Sequence, residues 1–176
     1  VDPIGGYCFG KIAKEEAEAA TTQVFGDYVP DDVKLNAFKH AVWNAIGVQE
    51  IVQRSGNKWN ALERGKRFGC AHEYVLDNNT WIIPMGIKEA MDLHNNLMGR
   101  TYMYNNINTG WFGVVTYTPS DDRIRDDIKN FVFSKVYSTN DVMSLSSSYN
   151  WYSLGDVHNA MNYHTVPGQK LVYILD

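Results

Sequence analysis

The feature that most constrains the fold is a polar stripe on a long, otherwise apolar helical segment. Val29-Pro30-Asp31-Asp32 favours a helix start, because proline sets the first turn and aspartates complement the helix dipole. The segment runs to about Arg54, and Asn36, His40 and Asn44 lie four residues apart on one face. The other faces are mostly apolar, which predicts a central helix. Because an unpaired buried polar group costs about 1–3 kcal/mol, the stripe requires a network or a ligand.

Three further helices are predicted around this central one. Helix-favouring residues and turn signals place them at residues 11–24, 59–76 and about 85–104. At 176 residues, the chain is long enough to bury a core in one domain without a metal or a disulfide. We therefore expect a mainly α fold, a compact helical bundle, in a single domain over residues 1–176 whose helical core spans about 10–105.

The C-terminal portion, about 106–176, is predicted to be less regular and to hold a small β element. Residues 111–118 and 170–175 are rich in β-branched and aromatic side chains, so we expect two short strands that pair with each other. Helices are expected over residues 120–135 and 153–163. The aromatic residues of this portion are interpreted as core rather than as a ligand platform: Trp111, Phe112, Trp151 and Tyr152.

The charge balance argues against one class of partner. Sixteen basic and 20 acidic residues give a net charge of −4, whereas non-specific binding to nucleic acid requires an excess of lysine and arginine. The local cluster of Lys58, Arg64, Lys66 and Arg67 is interpreted as a solvated helix face. No apolar run is long enough to span a membrane. We therefore expect neither bulk nucleic-acid binding nor a membrane span.

The cellular compartment is indicated only by composition. Cys8 and Cys70 allow one disulfide, but Cys70 lies within a predicted helix and is expected to be a buried thiol. The sequence shows no signal peptide, and its abrupt start at Val1 leaves room for a removed leader. Abundant asparagine and tyrosine favour an extracytoplasmic bacterial protein, either secreted or at the cell surface.

Two glycines on the third predicted helix indicate close packing. Gly65, Gly69 and His72 share one face, and Glu73 borders it. Each glycine inside a helix costs about 1 kcal/mol relative to alanine, and close approach of another backbone is a physical reason to keep it. We expect a neighbouring helix, the central one being the candidate, to pack against this face.

The fourth helix carries polar residues on opposite faces. His94 lies in the middle of the apolar face, whereas Asp92 and Asn96 lie nearly opposite it and Asn95 lies between. Asp92 and His94 therefore cannot both reach one metal ion from a straight helix. With His94 pointing inward, Asp92 and Asn96 are expected to hold a neighbouring loop or cap, with Arg100 nearby.

Three histidines on three successive helices lead to the main functional hypothesis. Imidazole is the commonest metal ligand, and three protein ligands plus a water form a catalytic zinc pattern. We expect His40, His72 and His94 to bind zinc or another divalent metal in a hydrolase, with Glu73 and His72 as catalytic groups and Glu73 as the general base. Residues expected to bind substrate or support the ligands are Asn36, Asn44, Asp92, Asn95, Asn96 and Arg100.

Two other interpretations fit the same residues. The chain has no His-Glu-x-x-His motif, no Cys-x-x-Cys pair and no nucleophile-elbow Gly-x-Ser-x-Gly. A metal-free site using Glu73 with His72 or His40 would suit a toxin-type nuclease. A purely structural network of histidine and asparagine would suit a cell-surface binding module.

The three motifs together resemble an uncharacterised bacterial domain family. They are Asn36-Ala-Phe-Lys-His40-Ala-Val-Trp-Asn44, Ala71-His72-Glu73, and Met91-Asp92-Leu-His94-Asn95-Asn96-x-x-Gly99-Arg100. Members of that family occur as secreted or lipoprotein-like proteins and as terminal domains of cell-surface and toxin-like proteins. The resemblance covers about residues 31–100. It implies a shared polar site and an extracytoplasmic bacterial setting, but it implies no particular reaction.

Overall fold

The computed structural model describes residues 3–26, 34–73, 75–77, 80–82, 86–145 and 170–174. The helices are α1 Pro3–Tyr7, α2 Ala13–Phe25, α3 Lys34–Ser55, α4 Lys58–His72, α5 Ile87–Asn106, α6 Asp121–Lys129 and α7 Thr139–Ser144. A π-helical turn over Cys8–Ile12 joins α1 to α2. The strands are β1 Val75–Asp77, β2 Thr80–Ile82, β3 Asn108–Thr109, β4 Val115–Tyr117, β5 Val132–Val136 and β6 Lys170–Ile174. The predicted mainly α fold is confirmed.

The long helix α3 lies at the centre of the bundle. It packs against α2, α4 and α5, and it also contacts α6 and β6. Its apolar side chains are buried with residues from the π-helical turn and from α5, including Phe9 and Met98. A smaller apolar cluster joins α5 to α7 and to the paired strands β5 and β6. The prediction that this helix is central is confirmed, because three helices cover its faces.

Glycines allow α3 to approach both of its polar-site neighbours closely. A Cβ atom on Gly99 of α5 would overlap the carbonyl oxygen of Ala41, and one on Gly69 of α4 would lie 2.7 Å from Asn44 Oδ1. A Cβ atom on Gly65 would lie 2.5 Å from Val48 Cγ2. The predicted close approach of the central helix at Gly65 and Gly69 is therefore confirmed.

The strands of the C-terminal portion do not pair as predicted. β6 lies parallel to β5, with Val132 opposite Lys170, whereas the segment after Trp111 folds back as β4 against β3. The predicted helix over 120–135 ends at Lys129, because β-branched and aromatic residues follow and pair with β6. The predicted helix over 153–163 lies outside the described residues.

Two other predictions are wrong: the burial of two aromatic residues and the end of the third helix. Trp111 and Phe112 were expected in the core, but both are exposed, while Trp151 and Tyr152 lie outside the described residues. The third predicted helix ends at His72 rather than at residue 76, since β-forming residues on either side of Asn78-Asn79 make the hairpin of β1 and β2.

The chemical state of the cysteines and the apolar character of the helices are also defined. Cys8 and Cys70 are both buried, and neither forms a disulfide. Burial raises the pKa of the Cys70 thiol, which keeps it protonated at neutral pH. Over the residues that the structure describes, no helix has both the length and the apolar character needed to cross a bilayer.

Candidate metal centre

Three acidic or imidazole side chains from three parts of the bundle converge at the edge of the core. His40 of α3, Glu73 at the end of α4 and Asp92 of α5 each offer one ligand atom, and these atoms lie within 4.8 Å of one another. His40 is 6% exposed and Glu73 is 8% exposed. The Asp92 side chain is 16% exposed. We call these residues the His40–Glu73–Asp92 trio.

Two parallel helices supply most of the groups around the trio. Three of the contacts between α3 and α5 link residues that are 56 positions apart: Asn36 with Asp92, His40 with Asn96, and Asn44 with Arg100. The constant offset means that two stripes with four-residue spacing run side by side in the same direction. We call these contacts the α3–α5 ladder.

The hydrogen bonds of Asn96 determine which nitrogen of His40 carries a proton. Asn96 Oδ1 accepts from Asn44 Nδ2 at 2.6 Å and lies 3.0 Å from His40 Nδ1, while Asn96 Nδ2 points to the carbonyl oxygen of Gly69 at 3.3 Å. The oxygen thus faces His40, so His40 Nδ1 must be the donor. In the neutral imidazole, the lone pair then lies on Nε2.

That lone pair faces a carboxylate. His40 Nε2 lies 3.3 Å from Asp92 Oδ1. Two lone-pair atoms at this distance repel each other unless a cation, either a proton on Nε2 or a metal ion, lies between them. A tetrahedral ion with bonds of about 2.0–2.1 Å separates neighbouring ligand atoms by about 3.3 Å. The observed distance therefore fits a divalent metal ion held by both residues, and it equally fits a protonated His40 paired with Asp92.

Side-chain amides hold the two carboxylates of the trio. Asn36 Nδ2 donates to Asp92 Oδ1 at 3.3 Å, and Asn96 Nδ2 donates to Glu73 Oε1 at 3.4 Å. Metal-binding carboxylates and imidazoles commonly have such partners, which orient the ligand atoms. Asn36 and Asn96 therefore act as positioning residues for all three members of the trio.

Burial changes the ionisation of Glu73. It raises the pKa of Glu73 to about 7, assisted by the nearby Glu89 and opposed by the hydrogen bond from Asn96. At neutral pH the carboxyl group is therefore close to half ionised when no cation is bound. Such a group can take up a proton, or it can lose one when a cation arrives.

His72 lies on the rim of the trio and is exposed to solvent. Its ring centroid is 6.1 Å from that of His40 and 4.9 Å from that of Trp43, whose Nε1 donates to the Phe9 carbonyl. Partial burial of the ring lowers the pKa of His72, and Lys14 and Lys39 lower it further. The imidazole is thus neutral at neutral pH and accessible to water.

His94 and Asn95 face the opposite side of α5. His94 is fully buried, and its Nε2 lies 2.8 Å from the Lys170 carbonyl. Asn95 donates to the Val172 carbonyl and accepts from the Val172 amide, both at 2.9 Å. Burial lowers the pKa of His94 to about 4, although its backbone hydrogen bond opposes the shift. Both residues therefore hold β6 against the helix.

The predicted ligands and the observed trio share only His40. Asp92 and His94 are on different faces of α5, as their spacing predicted, but Asp92 rather than His94 faces His40. Asn36, Asn44, Asn96 and Arg100 surround the trio, whereas Asn95 lies away from it. The matching four-residue spacing of the stripes on α3 and α5 is the sequence signal that identifies Asp92.

Comparison with known protein families places the chain in a family of unknown function. A family model described as "Domain of unknown function (DUF6973)" matches residues 7–125, which is more than half of the chain. The match includes all the residues of the trio and of the ladder. No curated protein and no solved structure matches the chain.

Proposed function

We propose that this chain, which belongs to the DUF6973 family of unknown function, is a divalent-metal-dependent hydrolase. The observation that carries the proposal is the 3.3 Å approach of His40 Nε2 to Asp92 Oδ1, with Glu73 completing the group. One imidazole and two carboxylates suit zinc and also manganese. An ion held by His40, Glu73 and Asp92 would lower the pKa of a coordinated water and so would supply a nucleophile near neutral pH.

The surrounding residues have distinct tasks in this proposal. Asn96 keeps the proton of His40 on Nδ1, so that Nε2 is available as a ligand. Asn36 orients Asp92, and Glu73 is the third ligand rather than the general base expected from the sequence. His72, exposed on the rim beside His40, is positioned to exchange a proton between substrate and solvent.

Metal analysis of protein purified without a histidine tag tests the ligand set. We expect a stoichiometric zinc or manganese ion in the wild type that is lost in both His40→Ala and Asp92→Asn. His72→Ala is the matched control, because His72 touches the same region but is not in the trio. Absence of metal from the wild type after incubation with several divalent ions would refute the proposal.

Activity measurements separate binding from catalysis. Phosphodiester, ester and amide substrates would be screened with the metal-loaded protein. We expect His72→Ala to retain the ion but to lose roughly 10²–10⁴-fold in rate, the usual contribution of a general acid–base group. Activity that persists unchanged after chelation would instead support metal-free His/Glu chemistry of the toxin-nuclease type.

A structural network is the second candidate, and the α3–α5 ladder favours it. Arg100 donates to Asn44 at 2.9 Å, and Asn44 donates to Asn96 at 2.6 Å, so buried polar groups are tied together across two helices. If this were their whole role, Asp92→Asn would change thermal stability and nothing else.

We also propose that the protein acts outside the bacterial cytoplasm, a setting that its asparagine- and tyrosine-rich composition supports.

A further inference from the structure

The hairpin of β3 and β4 presents two large aromatic side chains to solvent at its apex. Trp111 is 86% exposed and Phe112 is 93% exposed, and the neighbouring Val114 is also exposed. Their rings are 6.3 Å apart, between centroids. Large apolar side chains that lie together on a surface mark an interaction site more often than isolated ones do. The apex contains no residue of the trio or of the α3–α5 ladder.

Backbone hydrogen bonds close the turn at the apex in a conformation that exposes its side chains. Gly110 N donates to the Val114 carbonyl at 2.8 Å, and Gly113 N donates to the Gly110 carbonyl at 3.1 Å. Within this turn, Phe112 has a φ of 66°, which is unfavourable for a bulky residue. Strained residues of this kind cluster at functional positions. The turn thus holds the Phe112 ring away from the protein at a cost in backbone energy.

The hairpin is apolar at its apex and becomes polar and charged towards its base. The sequence from Ile107 to Pro119 contains no charged residue. Two cations stand at its base: Lys58 Nζ donates to the Ile107 carbonyl at 2.9 Å, and Arg123 Nη1 donates to the Tyr117 hydroxyl at 3.0 Å. Aromatic side chains lie beneath both cations, at 4.5 Å for Lys58 over Tyr104 and 5.9 Å for Arg123 over Tyr117.

We propose that this apex inserts into the surface of a phospholipid bilayer. Aromatic rings are enriched at the level of lipid headgroups, where apolar surface is removed from water and polar neighbours stay hydrated. The uncharged segment is suited to cross the headgroup layer, and the cations at its base lie where phosphates would be. Asp121 and Asp122, at the start of α6, make a zwitterionic surface the better match than an anionic one.

Vesicle flotation with zwitterionic phosphatidylcholine and phosphatidylethanolamine tests this proposal on the full chain. The variant carries Trp111→Ser and Phe112→Asn together, because asparagine tolerates positive φ and the turn should persist. We expect its partition coefficient to fall at least about tenfold, the effect of losing burial of one large apolar side chain. Tyr137→Ser, which removes an exposed aromatic side chain outside the hairpin and its base, should bind as the wild type does.

Fluorescence identifies the inserted residue. Brominated lipids should quench part of the tryptophan emission of the wild type, and Trp111→Phe should abolish this quenching while vesicle binding persists. Binding should also be insensitive to added salt, since burial of apolar surface drives it. The proposal is overturned if the wild type fails to float, if the double variant floats equally well, or if the variant instead loses self-association in sedimentation velocity.

Discussion

Opposite faces of the helix α5 bury polar residues for different reasons. On one face, Asp92 and Asn96 contact other side chains, and a carboxylate is brought against the lone pair of His40. On the other face, His94 and Asn95 contact the backbone of β6. Backbone partners complete the hydrogen bonds of a buried group and fasten a strand. Two side-chain atoms that both present lone pairs require a cation between them, either a proton or a metal ion, so the first face is the candidate centre.

Groups at the two faces, Glu73 packed against the first and His94 on the second, also respond oppositely to pH. The raised pKa of Glu73, about 7, gives a stabilisation that is complete below pH 4.5 and is lost as pH rises through 7. The lowered pKa of His94, about 4, gives a stabilisation that is complete above pH 6.5 and is lost as pH falls through 4. Between these limits the two contributions oppose each other in the wild type.

The largest expected effect is on metal affinity, through Asp92→Asn. Asparagine keeps the size and the polarity of the side chain but removes the charge that faces His40. We expect metal binding to weaken by more than the roughly 10–100-fold that loss of a supporting residue costs. Isothermal titration with zinc and manganese measures this change. Equal affinities of variant and wild type would place the ion elsewhere and remove the distinction between the two faces.

The next effect is on folding, through Asn95→Ala. This substitution leaves both the amide and the carbonyl of Val172 without their side-chain partner in a buried position. We expect a loss of roughly 2–4 kcal/mol in the free energy of unfolding, with metal affinity unchanged. Urea denaturation measures it. The control is Asn130→Ala, which removes an exposed hydrogen bond to the Asp126 carbonyl and should cost less than about 0.5 kcal/mol. A metal defect in Asn95→Ala would contradict the assignment of His94 and Asn95 to strand attachment.

A pH series on metal-free protein separates the two ionisations, through Glu73→Gln. The variant loses the destabilisation that ionisation of Glu73 causes, so at pH 8 it should be more stable than the wild type by up to about 3 kcal/mol. Its stability should also rise more steeply between pH 4.5 and 6.5, because the opposing term of Glu73 is gone while the lowered pKa values of His94 and His72 still contribute. Parallel stability curves for the two proteins would count against a buried Glu73.

The smallest expected effect comes from Asn36→Ala, which removes the amide beside Asp92. The hydrogen bond is 3.3 Å long, and the residue touches the ligand rather than the ion. We expect metal affinity to fall about tenfold, at the lower end of the range for supporting residues. Competition with a fluorescent chelator resolves such a change. An effect as large as that of Asp92→Asn would mean that Asn36 is itself a ligand.

Many residues of the candidate centre can be identified from local sequence patterns. The spacing of Asn36, His40 and Asn44 predicts one polar face, and Gly65 and Gly69 predict the close approach of α3. Each of these inferences depends on neighbours within two turns of one helix. The pairing of β6 with β5 was missed because strand pairing depends on residues far apart in the chain, and periodicity does not report the partner.

The residues alone established the mainly α fold, the central helix and the stripes that carry polar groups, because helix periodicity is a property of a short stretch of chain. Tertiary structure decided which stripe of α5 meets α3 and which meets β6. When a helix is buried on both sides, its local sequence does not distinguish which of two polar faces forms a site. The packing of the neighbouring elements determines this. That packing put Asp92 against His40, and it left His94 to hold a strand.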